Sequence, residues 1–450
     1  MRRRTVLAGL ATGLASGLAG CSAEDAPASP GSPSAAPTDE RTPTPTESET
    51  PTDRTPTDET PGGPVRWTAA LDGAAGDPVY AGGSLRYADG GGPARDRWLF
   101  VPTQAGTLYA MSPATGEERW RADLGKPVRD AVVAPDAGLV VAHAGRSTLG
   151  DDHRVRAFDA GGSPQWTFPG SAGATPWGPL ELLDADGERV FVASRDDQPM
   201  SSGETLWALN AADGTAVWSG EVGDPYDAAV TGEAVFVASR KAVDAFARPG
   251  GERLWRYSPE AGGTTYQSGT LRATGRTAFF GTESGTDAGS FRAVGPDGTQ
   301  LWRRNRWATS ATLADSLYLG GGPLTALDPS SGEERWSAQG PSFLVEGPIA
   351  AGRIFAGGDG IAAYDTASGD RHWTWTAPAE IVLPAAATDA AVYAGVGGGD
   401  DAPNVVYARN ATDGSERWTV EGDAKFTDLV LGSQHLFVGA ADGTVYALRR

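Results

Sequence analysis

The sequence predicts an all-β protein built as a closed ring of four-stranded sheets, a β-propeller. Three observations predict this fold. Short apolar runs bounded by Gly, Asp and Pro recur along the chain, which is typical of many short strands. No long stretch carries the 3.6-residue apolar period of a helix. One motif returns in phase from residue 65 onward, as expected of a repeat protein.

The motif is clearest in residues 106–120, which read GTLYAMSPATGEERW, and in copies that end at Trp218, Trp336, Trp373 and Trp418. Weaker copies end at Trp166, Trp255 and Trp302, and all copies align on one alanine. The aligned alanines are Ala110, Ala157, Ala208, Ala245, Ala293, Ala326, Ala363 and Ala408. A glycine follows about six positions later and a tryptophan about ten. We interpret each copy as a strand, a turn in which glycine supplies φ > 0, and a returning strand that carries the tryptophan.

A further strand precedes each copy, for example VFVASR at 190–195 and again at 235–240, so each repeat supplies about four strands. Such a small sheet must bury its faces against its neighbours. Residues 443–450, GTVYALRR, are a repeat without its last strand, and 65–67 supply the missing part. We therefore predict that the N-terminal strand completes the last blade. The repeat tryptophans predict nine blades: Trp67, Trp120, Trp166, Trp218, Trp255, Trp302, Trp336, Trp373 and Trp418.

The N-terminus has the features of an export signal over residues 1–21. Arg2, Arg3 and Arg4 precede a short, mildly apolar stretch, which favours twin-arginine export. The stretch ends in Leu-Ala-Gly-Cys at 18–21, which resembles a prokaryotic lipobox. We predict lipidation at Cys21 and anchoring to the outer face of the cytoplasmic membrane. The alternative is a chance cysteine in a signal peptide.

Residues 22–64 consist almost entirely of Thr, Pro, Ser, Gly, Ala and acidic residues, with nine Asp and Glu against two Arg. This composition cannot bury enough apolar surface to fold. We predict a disordered, extended stalk that separates the membrane from a propeller spanning residues 65–450.

The chain has a net charge of −20 and three lysines among its 37 basic residues. An acidic, lysine-poor surface suits a high-salt environment, as in halophilic archaea, although a GC-rich genome gives a similar bias. The charge has the wrong sign for a nucleic-acid partner. The single cysteine excludes an intrachain disulfide and a multi-cysteine metal site.

The Ala-x-Asp-x-x-x-Gly-x-x-x-Trp pattern resembles the tryptophan-docking motif of the pyrroloquinoline-quinone (PQQ) dehydrogenase-like propellers, over nearly all of residues 65–450. The resemblance implies that each tryptophan packs between blades while its indole N–H bonds a backbone carbonyl. Family members usually have about eight blades. They include quinoprotein alcohol dehydrogenases and non-enzymatic BamB-like lipoproteins. The dehydrogenases hold PQQ with a vicinal disulfide and a calcium ion, and use a catalytic Asp. One cysteine cannot form that disulfide, so we expect neither cofactor nor metal.

Other candidate site residues are isolated. The histidines, which show no metal-ligand spacing, are His143, His153, His372 and His435. The loop acids Asp151-Asp152 and Asp400-Asp401 fit either a cation or solvated loops. Trp177 and Trp307 lie outside the motif and are candidates to face a ligand. Asn410 begins the one N-glycosylation sequon, but it also occupies a turn position that Asp holds in sister repeats.

The leading hypothesis is a non-catalytic, membrane-anchored propeller that binds a protein or an extracellular polymer through its loop-built faces. The alternative is a PQQ-dependent oxidoreductase. A carbohydrate-active propeller is a third possibility, and it would need paired carboxylates facing one channel.

Overall fold

The structure is a computed structural model, and its described residues belong to one compact unit. They are residues 57–58, 63–71, 86–88, 98–134, 136–145, 153–169, 180–185, 187–194, 204–258, 265–267, 269–284, 287–339, 343–344, 349–379, 381–397 and 404–450. Several predictions from the sequence therefore lie outside the described residues. These are the export signal, Cys21, most of the stalk, Asp151-Asp152, Trp177 and Asp400-Asp401.

The described residues form strands and turns, and none of them lies in a helix. The first strands are β1 (Thr57–Asp58), β2 (Val65–Ala70), β3 (Arg86–Ala88), β4 (Trp98–Pro102), β5 (Thr107–Met111), β6 (Glu118–Asp123), β7 (Val128–Ala134), β8 (Leu139–Ala144), β9 (Arg154–Phe158), β10 (Pro164–Phe168), β11 (Leu180–Ala185), β12 (Arg189–Ser194), β13 (Glu204–Asn210), β14 (Ala216–Val222), β15 (Pro225–Val230), β16 (Ala234–Ser239), β17 (Val243–Ala247) and β18 (Arg253–Tyr257).

The remaining strands are β19 (Thr265–Tyr266), β20 (Arg272–Thr274), β21 (Thr277–Ser284), β22 (Asp287–Val294), β23 (Gln300–Arg304), β24 (Ser310–Leu313), β25 (Leu317–Gly320), β26 (Leu324–Leu327), β27 (Glu334–Ala338), β28 (Phe343–Leu344), β29 (Arg353–Gly357), β30 (Gly360–Asp365), β31 (Arg371–Thr376), β32 (Ile381–Ala387), β33 (Ala391–Val396), β34 (Asn404–Asn410), β35 (Glu416–Gly422), β36 (Phe426–Leu431), β37 (His435–Ala440) and β38 (Thr444–Arg449).

Within the described residues these strands form nine antiparallel sheets, which are the blades of a propeller. Blades 1 to 4 are β3–β6, β7–β10, β11–β14 and β15–β18, blade 5 is β19–β23, and blades 6 to 8 are β24–β27, β28–β31 and β32–β35. Blade 9 has the order β1-β2-β38-β37-β36. The prediction of an all-β propeller with nine blades is confirmed.

The ring closes through the two ends of the described chain. In blade 9, β2 pairs with β38, so Trp67 lies opposite Ala447 and Val65 opposite Leu448. The first strand of this blade, β36, contacts both β32 of blade 8 and β3 of blade 1. The predicted completion of the last blade by the N-terminal strand is confirmed. One detail differs, because β1 lies inside the segment predicted to be a disordered stalk and adds a fifth strand to blade 9.

The apolar core follows the position of each strand within its blade. Second strands such as β16 and β33 are buried along their whole length, since neighbouring blades cover both of their faces. Fourth strands such as β18 bury the central tryptophan and expose residues on either side of it. None of the described residues forms a helix long and apolar enough to cross a membrane.

A row of three side chains explains the repeated alanine. In blade 4, Phe236 lies opposite Ala245, and Ala245 lies opposite Trp255 on the next strand. The rings of Phe236 and Trp255 approach with centroids 5.8 Å apart across the alanine. A larger side chain between them would separate the two rings, so the middle strand carries alanine at this position.

Candidate functional site

The repeat tryptophans link each blade to the next. The indole Nε1 of Trp302 in blade 5 donates a 3.0 Å hydrogen bond to the carbonyl of Pro329 in the turn of blade 6. Equivalent bonds of 2.9–3.1 Å leave Trp67, Trp120, Trp166, Trp218, Trp336 and Trp373. Trp255 and Trp418 are also buried, but their Nε1 atoms have no hydrogen-bond partner among the described residues. These tryptophans therefore serve the joints between blades, not a ligand-facing surface.

Antiparallel strand order places the connecting loops at two opposite ends of every blade. We call the end formed by the turns between third and fourth strands the docking face, because it receives the tryptophans. The hairpins between second and third strands form the opposite end, which we call the hairpin face. The tight hairpin from Ser239 to Ala242 in blade 4 belongs to the hairpin face.

The docking face carries carboxylates that stay ionised. In the turn of blade 6, Ser330 Oγ donates to Asp328 and Arg335 Nη2 bonds the other carboxylate oxygen at 2.7 Å. These bonds hold the pKa of Asp328 well below its usual value. Turn hydroxyl or N–H groups likewise lower the pKa of Asp213, Asp297, Asp365 and Asp413. These five carboxylates are therefore ionised throughout the physiological pH range.

Asn410, the predicted glycosylation site, lies in a docking-face turn. Its Nδ2 donates to Ser415 Oγ at 2.6 Å. The carbonyl of the next residue, Ala411, accepts the indole N–H of Trp373 from the preceding blade. Asn410 thus makes a side-chain bond within its turn, although to a hydroxyl and not to the backbone N–H groups that Asp328 and Asp365 accept. Glycosylation there stays a prediction.

Acidic residues share one register position on the first strands of four blades. They are Asp130, Glu181, Asp227 and Asp428, which lie opposite His143, Ala193, Ala238 and Gly439. Asp227 is buried and accepts a 2.7 Å hydrogen bond from Tyr266 Oη of blade 5. Burial raises the pKa of Asp227. Tyr266 Oη also accepts the N–H of Leu271, so this carboxyl ties two blades together.

The structure brings two histidines together that are ten residues apart in the sequence. His143 Nε2 and His153 Nδ1 lie 3.0 Å apart, and both rings are buried in blade 2. A β-carbon on Gly145 would come within 2.3 Å of His153 Nδ1, so glycine leaves room for the ring. Within the described part of the chain, no group of three or more His, Cys, Asp or Glu residues could hold a metal ion.

Two buried charged groups lie on third strands, at the position before the repeat alanine. Asp244 in blade 4 is buried, with Arg253 Nε and Arg256 Nη2 each 3.2 Å from its carboxylate. Burial raises the pKa of Asp244 to about 6, against the opposing effect of the two arginines. In blade 5 the buried Arg292 donates to the hydroxyls of Tyr257 at 2.9 Å and Thr282 at 2.6 Å. Both groups connect neighbouring strands or blades.

Trp307, predicted to be a ligand-facing candidate, follows β23 and is 41% exposed. Its indole lies against Gly289 of the adjacent strand β22, where a β-carbon would come within 2.9 Å of Trp307 Cδ1. The ring is therefore held at the surface of blade 5. Neighbouring residues Arg303, Arg304 and Asn305 are exposed.

A protein-family comparison assigns this propeller to a family. The family model described as outer membrane protein assembly factor BamB matches residues 58–181, 151–291 and 287–400, well over half of the chain. The chain belongs to the BamB family. A comparison with curated proteins gives no match.

Several solved propellers resemble this BamB-family chain. BamB from Moraxella catarrhalis is 16% identical, with 88% of this chain and 100% of that chain covered and a TM-score of 0.49. The computationally designed Ika8 protein is 14% identical, with 85% and 98% covered and a TM-score of 0.51. Quinohemoprotein alcohol dehydrogenase from Comamonas testosteroni is 12% identical, with 86% and 76% covered and a TM-score of 0.48. At these identities the likeness concerns the fold alone.

The residues of this BamB-family chain do not fit PQQ as the resembling dehydrogenases hold it. A vicinal disulfide needs two cysteines, and the sequence contains Cys21 alone. A calcium site needs several oxygen ligands close together. Two of the buried carboxylates are already used in other contacts, since Asp244 is ion-paired and Asp227 is bonded across blades.

Sequence reasoning missed the polar contacts between and within blades. The His143–His153 pair, the Asp227–Tyr266 bond and the burial of Arg292 join residues whose spacing carries no motif. One signal was available, because polar residues at otherwise apolar strand positions indicate a buried polar contact.

Proposed function

We propose that this BamB-family chain is a non-catalytic scaffold that binds a partner protein and is held by a lipid on Cys21 at the outer face of the cytoplasmic membrane. Membership of a family described as an assembly factor carries the proposal. The tryptophan joints support it, because they make a rigid ring whose loops and edges can present a binding surface. An extracellular polymer is the other partner class.

The missing fit to PQQ also supports a non-catalytic role. The test is to purify the full chain at high salt, add PQQ and calcium, and measure quinone absorbance and dye-linked alcohol oxidation after gel filtration. The proposal expects no retained quinone and no oxidation. Stoichiometric quinone with alcohol oxidation would overturn it in favour of a quinoprotein oxidoreductase.

Binding is tested by cross-linking the full chain in native membranes at high salt, followed by mass spectrometry. The proposal expects one protein, or a small set, to be enriched over a membrane protein of similar charge and abundance. Enrichment of polysaccharide alone would indicate a polymer partner and not a protein partner. Retained quinone in the PQQ experiment would count against both kinds of scaffold.

The anchor is tested by Cys21→Ser, with Ser22→Ala as the matched control. Without a thiol no thioether-linked lipid can form, so we expect the variant in the medium and the control in the membrane fraction. Continued membrane association of Cys21→Ser would remove the lipid from the proposal. A twin-lysine replacement of Arg2 and Arg3 should block export if the twin-arginine route is used.

A further inference from the structure

The distribution of charge around the ring is uneven. Residues 240–306 contain eleven Arg and Lys against six Asp and Glu, a net charge of +5, in a chain whose net charge is −20. This segment covers β17 and β18 of blade 4 and all the strands of blade 5. The rest of the chain is strongly acidic, so this segment forms a positive sector.

The exposed arginines of this sector lie on the outermost strands of two adjacent blades. Arg253 and Arg256 are on β18, while Arg303 and Arg304 are on β23, and all four are exposed. These two fourth strands contain no acidic residue. The matching strand of blade 1, β6, balances its arginines with acids, as in the Glu118–Arg121 pair at 3.6 Å. Arg253 and Arg256 share the single carboxylate of Asp244, and neither strand carries an acid, so the four arginines together with Asp244 carry a net positive charge.

Apolar surface lies beside these arginines. Among the described residues three large apolar side chains are exposed, and two of them, Leu301 at 51% and Trp307 at 41%, lie within this segment or directly after it. Leu301 and Arg303 lie on one face of β23, since successive side chains of a strand alternate. We call Arg253, Arg256, Leu301, Arg303, Arg304 and Trp307 the basic rim.

The basic rim borders a sheet edge that a further strand can extend. Among the described residues β23 pairs with β22 alone and is the last strand of its sheet. Blade 9 shows the same kind of edge in use. There β1 pairs with the outer side of β2, with Thr57 opposite Thr68 and Asp58 opposite Trp67. An extended segment therefore pairs with the outer edge of a tryptophan-carrying strand in this fold.

We propose that the basic rim binds an extended acidic polypeptide segment that adds as a strand to the outer edge of β23. Backbone hydrogen bonds to the edge supply general affinity. Alternate side chains supply selectivity, with carboxylates facing Arg303 and aliphatic groups facing Leu301. An anionic membrane or polysaccharide is disfavoured, because the ionised docking face of the same ring repels a large anionic surface.

This inference names the partner class of the proposed scaffold and therefore rests on that function. The probe, which we call the Glu-Val peptide, is a fluorescently labelled ten-residue peptide of the repeat Glu-Thr-Val-Thr, in which Glu and Val alternate along one face of the strand. It is added to the full chain at several salt concentrations. We expect saturable binding that weakens as salt rises, and about tenfold weaker binding to the double variant Leu301→Ser/Arg303→Glu. The Lys-Val version of the peptide should not bind.

The matched control is Val217→Ser/Arg121→Glu. Val217 is 43% exposed and precedes its tryptophan as Leu301 does, while Arg121 follows its tryptophan as Arg303 does. The control variant should bind the peptide like the unchanged protein. Equal weakening by the rim and control variants would overturn the proposal.

A peptide with N-methyl groups on alternate backbone nitrogens separates strand addition from simple charge attraction, because methylation removes edge hydrogen bonds. Undiminished binding of that peptide, or stronger competition by phosphatidylglycerol vesicles than by the Glu-Val peptide, would also overturn the proposal. If membrane cross-linking still yields the same partner with the rim variant, the partner does not bind at the basic rim, and the scaffold function stands. If the rim binds the peptide but no membrane protein cross-links, the scaffold function is wrong.

Discussion

The indole of Trp302 occupies the space that a side chain on Gly332 of the next blade would need. A β-carbon on Gly332 would come within 2.5 Å of Trp302 Cδ2. The same relationship joins Trp67 to Gly116, Trp120 to Gly162, Trp166 to Gly214, Trp218 to Gly251, Trp336 to Gly369 and Trp373 to Gly414. Each of these glycines also has a positive φ. The repeat glycine is thus required for two reasons. Its turn needs a positive φ, and the tryptophan of the preceding blade needs the space beside it.

Gly332→Ala should destabilise the protein by roughly 2–4 kcal/mol, since it adds a steric clash to backbone strain. The matched control is Gly352→Ala. Gly352 has φ of 68°, close to the 69° of Gly332, but its β-carbon would meet nothing within 4 Å. The control should lose only about 1 kcal/mol. Chemical denaturation measures both, and equal losses would show that the tryptophan contact adds nothing.

Trp336→Phe should cost more stability than Trp255→Phe. Both indoles are buried, at 8% and 6% exposure, but Trp336 Nε1 donates to the carbonyl of Thr366 at 3.0 Å. Trp255 Nε1 has no partner among the described residues. The two variants lose similar ring volume, so the difference of about 1 kcal/mol should report the hydrogen bond. Denaturation midpoints measured side by side check this, and a larger loss from Trp255→Phe would contradict it.

Trp67→Ala should open the closing blade before the rest of the ring. Trp67 holds β2 against blade 1 through its bond to Pro113, while β2 pairs with β38 across the closure. The variant should accelerate native-state hydrogen exchange more in β38, residues 444–449, than in β26 of blade 6. Removal of a buried tryptophan costs about 3–5 kcal/mol. Uniform acceleration over all blades would instead indicate that the closure is no weaker than any other joint.

Asp244 should make stability fall as the pH rises from about 4 to 6. Its pKa is raised to about 6 in the folded state from 3.8, so its contribution is fully present below pH 3.8 and is lost as the pH passes 6. The loss is of order 3 kcal/mol, because a tenfold change in an acid dissociation constant corresponds to about 1.4 kcal/mol.

Asp244→Asn should remove this dependence. The thermal midpoint of the unchanged protein minus that of Asp244→Asn should fall between pH 4 and pH 6 and level off above pH 7. Asp328→Asn is the control, because the pKa of Asp328 is lowered, so its contribution is constant above about pH 5 and is lost only in acid. A midpoint difference that rises between pH 4 and pH 6 would contradict the raised pKa of Asp244.

The blade architecture was predictable because its decisive contacts have a fixed spacing in the chain. Ala326, Gly332 and Trp336 recur at nearly the same intervals in other blades, since each blade needs a small residue beside its tryptophan, a turn at positive φ and a docking indole. The shared final blade was also readable, because a repeat without its last strand implies that another segment supplies it. Their periodicity makes these features visible in one sequence.

The polar contacts were not predictable for the opposite reason. Asp227 and Tyr266 are 39 positions apart and belong to different blades, so their bond depends on how two sheets lie side by side. His143 and His153 meet because the register of β8 and β9 pairs His143 with Val155, which brings His153, two residues earlier, within reach of the His143 ring. Nothing in the residues around Thr57 and Asp58 indicates a strand, since their pairing partner β2 provides the order.

The sequence by itself determined the fold class, the number of blades, the partner strands of the closure and the unequal distribution of charge. Only the tertiary structure decided which buried polar groups meet, that the repeat glycines seat the tryptophans, and that the arginines of blades 4 and 5 share a rim with Leu301 and Trp307. The physical reason is that a repeat encodes contacts at constant spacing along the chain. Polar contacts between blades that lie outside the repeat motif depend on lateral packing, which no local spacing records.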